Sequence, residues 1–485
     1  MECGSISLDD VEPSAAYSPS IFWEEMEHLL KVPDVTDETQ VNTALVKYIK
    51  HGSDSYQKCV KTEQGLYRLG VTFTESMMFH KNKTFVVSKL LSLLSVDLLE
   101  CNLKFIISYI ILCAAKSDLS VLELLVEFQG FTVVYNNLYS TFAYLNRYGE
   151  DIMPSSSSGS KSDAGTEIES EIIESLKQVS TILMDILFQI FKYSKCDIAN
   201  LNIVDDFFVY YLMRTMRSET TEDIFNNAKF KLLLALNEQY MIFSYQYELE
   251  NRVYKYLVDS AVSKSFVELL LLKFNRVTDR SLQIMLCKIV YLILTIDESS
   301  AKDFFYLNDL HVLVDVLIRE LNNIADDEEL IRNTILRVLF PLLRNTELAQ
   351  TQYRRSDLID ILKHLSSLDN VCSSGEAKAE HRTTVRLAQK CLKQIEWLQA
   401  PVVDTSDKAA PVYSDDSREA SVSTGSLSSP HDFPEKGPPI YGNYDASLSA
   451  ESITKRLQPP PPPPARKHPH RLGSGQKIAQ FRPKS

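Results

Sequence analysis

An apolar pattern with helical spacing fills residues 302–347 and predicts two amphipathic helices joined by a short acidic turn. In the first helix, apolar side chains recur at steps of three and four residues, which places them on one face of an α-helix. In the second, apolar pairs such as Leu330/Ile331 and Leu342/Leu343 recur and form a wider apolar face. Because the connecting turn is short, the two helices are expected to pack antiparallel.

Polar residues near the two helix starts are predicted to cap them. Asn308 or Asp309 is expected to cap the first helix and Asp326 or Asp327 the second, since such side chains accept hydrogen bonds from the unpaired N–H groups of a first turn. The glutamates at 328–329 suit the positive end of the second helix dipole.

The same helical period continues over residues 21–400, with almost no strand-like alternation. A segment of this length exceeds what one hydrophobic core usually supports. A bundle and a globular all-α domain are alternatives, but a solenoid grows without that limit because each unit packs only on its neighbours. No tight repeat period is visible, so the predicted fold is an all-α, armadillo-like, irregular α-solenoid.

Composition divides the rest of the chain. Residues 1–20 are small and polar and predict a disordered N-terminus, while the Ser-rich stretch 154–166 predicts a mobile loop inside the helical domain of residues 21–400. Most of the 19 prolines follow residue 400, where apolar residues are sparse. Residues 401–485 are therefore predicted to be a disordered Pro/Ser-rich tail.

Charge and motif content exclude several classes of function. The net charge of −13 argues against a nucleic-acid groove, although residues 455–485 contain no acidic residue and are basic. The eight cysteines show no CxxC spacing, which argues against a zinc site or a disulfide framework and predicts buried free thiols in a reducing compartment. No nucleotide-binding or metalloprotease motif is present. The expectation is a cytoplasmic protein that is not an enzyme and uses no cofactor or metal, with neither a signal peptide nor a transmembrane segment.

The tail carries one motif with a mechanism. A run of six prolines holds a polyproline II helix, in which residues three apart share a face and enter the paired aromatic slots of an SH3 domain. Both SH3 ligand orientations are present, [RK]xxPxxP from residue 456 and PxxPxR from residue 461. The predicted SH3-binding residues are Arg456, Pro459, Pro461, Pro462, Pro464 and Arg466. A plain spacer, profilin or WW-domain binding, and binding of the basic end to acidic phospholipids are the alternatives.

Five blocks, in this order along the chain, resemble a known family: Lys58–Ser76, Lys231–Gln239, Phe304–Arg319, Leu336–Arg344 and Gln352–Arg355. These blocks are similar to the sequences of the WISH/DIP family of Arp2/3 complex activators, and within that family to the fungal low-dye-binding endocytosis branch. The resemblance implies an armadillo-type domain that binds the Arp2/3 complex without catalysis. It further implies activation of that complex without preformed filaments, seeding linear filaments at cortical endocytic actin patches, and recruitment of the protein by SH3-domain adaptors.

The polar residues inside the matched blocks are the predicted partner contacts: Asn237, Glu238, Gln239, Asn308, Asp309, Arg337, Arg354 and Arg355. A structural role for each is the alternative. At the level of function, the alternatives are an armadillo-like SH3-binding scaffold of endocytic patches without nucleating activity, and a helical enzyme or lipid-binding protein.

Overall fold

The computed structural model describes residues 19–149, 164–193, 196–218, 223–244, 247–296, 301–302, 304–325, 327–367 and 379–399. The predicted disordered N-terminus and mobile Ser-rich loop therefore lie outside the described residues, except for their last few positions, where helices already begin at Pro19 and Ala164. The whole of the predicted 401–485 tail, with its six SH3-binding residues, also lies outside them.

Helices form the regular structure of the described ranges, which contain no strand. The first eleven are α1 (Pro19–Leu29), α2 (Glu38–Cys59), α3 (Glu63–Thr74), α4 (Met77–Lys81), α5 (Lys83–Leu94), α6 (Cys101–Ser117), α7 (Leu119–Glu127), α8 (Gly130–Tyr148), α9 (Ala164–Tyr193), α10 (Ile198–Ile203) and α11 (Asp206–Arg214). They are followed by α12 (Ile224–Phe243), α13 (Arg252–Leu257), α14 (Ser260–Arg276), α15 (Arg280–Ile296), α16 (Leu307–Asn323), α17 (Glu329–Asn345), α18 (Leu348–Thr351), α19 (Arg355–Leu365), α20 (Ala379–Gln394) and α21 (Glu396–Gln399).

Seven of these helices form a continuous spine in which each packs on the next: α3, α6, α9, α12, α15, α17 and α20. The remaining helices flank the spine, so each unit contributes one spine helix and one or more companions. The interior spine helices α6, α12 and α17 bury more than half of their residues, because neighbouring units and flanking helices cover several of their sides. The prediction of an all-α, solenoid-like fold is confirmed.

Local sequence explains where many helices start. In the described ranges, ten helices are preceded by an Asp, Asn, Ser or Thr whose side chain accepts a hydrogen bond from a first-turn N–H. These N-cap residues are Asp37, Thr62, Ser76, Asp118, Asp197, Asp205, Asp223, Asn251, Asp259 and Asp279.

The caps predicted for α16 and α17 are wrong. The first helix begins two to three residues earlier than predicted, with Tyr306 as its N-cap, so Asn308 and Asp309 lie inside its first turn. At the start of α17 the N-cap is Glu328, which makes no capping bond because Arg280 holds its carboxylate at 2.7 Å. Asp327 precedes that cap, and Asp326 lies outside the described residues.

Two further findings bear on the sequence-based expectations. None of the helices in the described ranges has the length and apolarity that crossing a bilayer requires. The described cysteines are free thiols, and four of the six are buried: Cys59, Cys196, Cys287 and Cys391.

Candidate protein-binding surface

The three predicted contact residues of α12 are engaged inside the solenoid. Asn237 is fully buried and accepts a hydrogen bond of 2.9 Å from the side-chain amide of Asn251. Gln239 accepts from the backbone N–H of Cys196 and donates to the carbonyl of Phe191, at 3.0 and 2.8 Å. These bonds hold loops and neighbouring units against α12, which is a structural role.

Glu238 is the third of these residues and joins two spine helices. Its carboxylate pairs with the ammonium group of Lys288 on α15, and only 17% of its side chain is exposed. A pair with this little exposure is screened less by solvent than a surface salt bridge. Glu238 therefore fixes α12 against α15 at the edge of the spine.

The turn at residues 352–355 brings two of the sequence blocks together. Tyr353 stacks on His311 of α16, with ring centroids 3.9 Å apart, and donates a 3.0 Å hydrogen bond to Asp315. Arg354 follows, with a side chain that is 45% exposed and an ion pair of 2.7 Å to Asp357. Arg354 also lies 3.8 Å from the carboxylate of Asp315. The turn thus presents a charged, solvent-accessible corner.

The backbone of this turn is unusual. Gln352 and Arg354 have φ values of 51° and 54°, in the left-handed region that non-glycine residues seldom adopt. Arg355 ties the same turn to α21, because its Nε donates a 2.7 Å hydrogen bond to the carbonyl of Trp397. The neighbouring packing therefore determines the shape of the turn.

An open groove lies beside the turn, between α16 and α19. Its walls mix carboxylate, basic and aliphatic groups, so it offers polar contacts over a small apolar floor. The lining residues are Ile318, Asn322, Arg354, Asp357, Asp360, Ile361 and His364. Of the remaining predicted contacts, Asn308 is exposed on α16 and Asp309 is half-buried.

Arg337 belongs to a second surface, which we call the basic stripe and define as Arg337, Arg344, Arg386 and Lys390 around Phe340. The Lys390 ammonium lies 4.0 Å from the centroid of the Phe340 ring, and the Arg344 guanidinium lies 5.9 Å from it. Burial lowers the pKa of Arg337, and the positive charge of Arg386 lowers it further. The stripe thus gathers four cations on the last two spine helices of the described chain.

A buried polar network precedes the stripe along the same two helices, and we call it the polar joint. Glu329 of α17 is 4% exposed and pairs with Arg332 one turn along the same helix. From α20, His381 Nδ1 lies 2.6 Å from the Glu329 carboxylate, and the Thr384 hydroxyl contacts its second oxygen. The Thr384 hydroxyl also lies 2.9 Å from the side-chain oxygen of Asn333. Contacts advance in the same order along both helices, so α17 and α20 run parallel.

Sequence reasoning identified some of these residues and missed others. It selected Arg337 and Arg354 but not their companions Arg344, Arg386 and Lys390. The basic residues of α20 recur at helical spacing, from Arg382 through Arg386 and Lys390, and this signal was available in the sequence. In the described part of the chain, no three His, Cys, Asp or Glu side chains converge to hold a metal ion.

Comparison with known proteins gives consistent matches. The model of the SPIN90/Ldb17 leucine-rich domain matches residues 222–358, which contain both the 352–355 turn and all of the stripe residues on α17. Protein LDB17 of Saccharomyces cerevisiae is 51% identical over 451 residues, covering 90% of this chain and 92% of that protein.

Two further relatives extend the comparison. Protein LDB17 of Eremothecium gossypii is 53% identical over 389 residues, covering 80% of this chain and 84% of that protein. Protein dip1 of Schizosaccharomyces pombe is 26% identical over 247 residues, covering 47% of this chain and 64% of that protein. Identity above one half across nearly the full length of a relative establishes common descent, and the chain belongs to the SPIN90/Ldb17 family.

Proposed function

We propose that this protein activates the Arp2/3 complex without a preformed filament and so seeds linear filaments at cortical endocytic actin patches. Membership of the SPIN90/Ldb17 family, carried by the 51% identity to Protein LDB17, is the observation that supports the proposal. This is a family of regulatory proteins with a role in actin and endocytosis, and it is not an enzyme family.

The proposed mechanism is a shift in the conformational equilibrium of the partner. A non-enzymatic activator can favour the filament-like arrangement of the complex only by binding it more tightly than the inactive arrangement. Moving such an equilibrium from 1:99 to 99:1 takes a preference of about 10⁴-fold, or ~5.5 kcal/mol. A solenoid suits this task because its spine presents an extended, rigid surface.

We assign the predicted contact residues two different roles in this mechanism. Direct contact is proposed for Asn308 and Arg354, which are exposed, and for Asp309 and Arg337, which are half-buried. An indirect role is proposed for Asn237, Glu238, Gln239 and Arg355, whose bonds position neighbouring helices.

Polymerisation of pyrene-labelled actin tests the activity. The full-length protein is added to purified Arp2/3 complex and monomeric actin in the absence of preformed filaments. We expect a shorter lag and unbranched filaments under the microscope. If polymerisation is not accelerated while the protein still retains the complex on beads, the protein is a scaffold without nucleating activity.

A charge reversal locates the contact. Arg354→Glu is expected to reduce the acceleration of polymerisation by about tenfold. The substitution replaces an exposed arginine that would contact an acidic surface of the complex with a glutamate that the same surface repels. Arg68→Glu is the matched control, since Arg68 is also an exposed arginine in a surface ion pair, at 3.0 Å from Glu27. Equal activity of the two variants would remove the 352–355 turn from the interface.

We further propose that SH3-domain adaptors recruit the protein through its tail, with profilin as a second ligand of the proline run. Arg456→Glu combined with Arg466→Glu is expected to abolish retention on SH3 beads, because a basic residue at the end of each motif meets an acidic patch of the SH3 domain. Arg471→Glu combined with Arg482→Glu makes the same change of charge outside the motifs and should leave retention intact. Equal loss in both variants would indicate nonspecific attraction.

A further inference from the structure

Three cations from two helices gather at the C-terminal end of α14, and we call them the cation cluster: Lys231 of α12, and Lys273 and Arg276 of α14. Lys231 and Lys273 are half-buried, and Arg276 is exposed. None of the three forms a salt bridge with an acidic side chain of the described ranges. Burial lowers the pKa of Lys273, and the positive charges of Lys231 and Arg276 lower it further. The three charges are therefore close enough to repel one another.

Helix capping accounts for only part of this cluster. Lys273 and Arg276 lie in the last turn of α14, where the negative end of the helix dipole favours cations. The dipole does not require a third cation, and Lys231 comes from a different helix. The repulsion costs stability in the free protein, and like charges held together at such a cost are typical of a site that binds the opposite charge.

The cluster is continuous with the surface that we propose for the Arp2/3 complex. Arg319 of α16 donates hydrogen bonds of 3.0 and 3.1 Å to the side chain and the carbonyl of Asn275, which is adjacent to the last residue of the cluster. One turn earlier on α16, Asp315 lies 3.8 Å from Arg354. The side chains of Arg319 and Asp315 are both about half exposed. The accessible side of α16 thus connects the 352–355 turn with the cation cluster.

We propose that the cation cluster binds an acidic surface of the Arp2/3 complex and forms one continuous interface with the 352–355 turn. The inference rests on the proposed function and adds the charge of the surface that the complex presents. Charge complementarity and continuity with the turn identify this occupant, and the cluster lies within residues 222–358, which the family model matches. Cations in this position would mainly steer the encounter and increase the association rate.

Association kinetics with purified Arp2/3 complex test the inference. The full-length protein is immobilised, and the association and dissociation rate constants are measured between about 50 and 200 mM salt. Replacing the three cations by glutamine (K231Q, K273Q and R276Q) should lower the association rate constant about tenfold at the lower salt concentration and flatten its salt dependence. Urea unfolding should show the variant to be at least as stable as the wild type, because the repulsion is removed.

Two further variants separate the local charge from other causes. Lys47→Gln, Lys50→Gln and Lys61→Gln together remove the same three charges from exposed positions near the other end of the spine, and the association rate constant should hardly change. Lys231→Arg combined with Lys273→Arg keeps the charge of the cluster and should associate like the wild type.

The results that would overturn the inference are distinct. Equal association rate constants for the wild type and the glutamine variant contradict it, as does an equal loss in the control variant of the other end. A glutamine variant that is less stable than the wild type would assign the cations to the capping of α14. A glutamine variant that loses binding to phosphatidylserine vesicles, while it associates with the complex like the wild type, would assign the cluster to a membrane.

Failure of the proposed function gives a different result. If the wild type does not bind the complex at any salt concentration, the proposed function and the inference fail together. If the wild type binds the complex, and the glutamine variant binds it equally fast, only the inference fails.

Discussion

Two contacts near opposite ends of the spine depend on different interactions, one on apolar packing and the other on buried polar bonds. Where α3 meets α6, the contact is apolar and close: Leu69 and Phe73 are fully buried, and Gly70 lies directly against Cys113. Where α17 meets α20, the polar joint buries a carboxylate, a guanidinium and an imidazole around Glu329. Close apolar packing thus stabilises the spine at one end, and directional polar bonds stabilise it at the other.

The difference follows from what each contact has to specify. Apolar contacts stabilise in proportion to the buried area and hardly depend on direction, so the register of α3 on α6 relies on the absence of a side chain at Gly70. Hydrogen bonds to a buried carboxylate fix the register directly, at a cost in desolvation. The polar joint therefore aligns α20 with α17, and this alignment places Lys390 over Phe340 in the basic stripe.

The largest expected effect comes from breaking the polar joint. Glu329→Leu leaves Arg332 and His381 buried without their partner, so the free energy of unfolding should fall by ~3–5 kcal/mol. Urea unfolding followed by circular dichroism measures the loss, and hydrogen exchange should show it first in α20. The control is Glu268→Leu, which makes the same replacement at an exposed position of α14. Similar losses in both variants would show that the network contributes no more than a surface carboxylate.

A smaller effect is expected from filling the apolar contact. A Cβ at Gly70 would overlap the Cys113 sulfur and lie 3.2 Å from the Tyr109 ring, so Gly70→Ala should cost ~1–3 kcal/mol despite the better helix propensity of alanine. Gly52→Ala is the control, because its Cβ would meet no atom closer than 3.5 Å.

A double variant sharpens this test. Adding Cys113→Ala to Gly70→Ala removes the overlapping sulfur and should recover part of the lost stability, which a double-mutant cycle in urea would quantify. Strict additivity of the two substitutions would mean that α3 and α6 shift apart freely and that the close approach specifies nothing.

The two contacts also show how far the sequence predicts this structure. Helical spacing is local, so it predicts most helix positions, including the pair at 302–347 and the apolar surfaces of α6 and α12. For the glutamates at 328–329, the sequence indicates only a favourable interaction with the helix dipole. The burial of Glu329 depends on His381 and Thr384, which lie more than fifty positions further along the chain, and a local pattern carries no information about such neighbours.

The site was predicted less well for the same reason. Asn237 and Gln239 are polar residues in a sequence block that resembles the family, but their side-chain amides form hydrogen bonds with backbone and side-chain groups inside the fold. Arg354 could be selected from the sequence, whereas its position beside Asp315 results from the packing of α16 on the 352–355 turn. The regular order of the spine was also missed, because helices of very different length occupy equivalent positions in successive units.

The smallest expected effect is a dependence on alkaline pH that belongs to the apolar contact. Burial raises the pKa of the Cys113 thiol from 9.0 to about 11. A group whose pKa is higher in the folded state stabilises the fold below its unfolded pKa, and that contribution is lost as the pH rises from about 9 to 11. Two pKa units correspond to ~3 kcal/mol, which partial exposure of the side chain reduces to about 1–2 kcal/mol.

Urea unfolding at pH 8, 9 and 10 for the wild type and Cys113→Ala isolates this contribution. The cavity left by the missing sulfur lowers stability equally at each pH, so the difference between the two proteins should shrink as the pH rises. Groups that do not interact with Cys113 cancel in that difference, including Lys229, whose pKa burial lowers to about 7 and which acts in the opposite direction. A difference that stays constant would mean that the thiol ionises as readily in the fold as in the unfolded chain. Water would then reach the contact between α3 and α6, and close apolar packing could not be what holds this end of the spine.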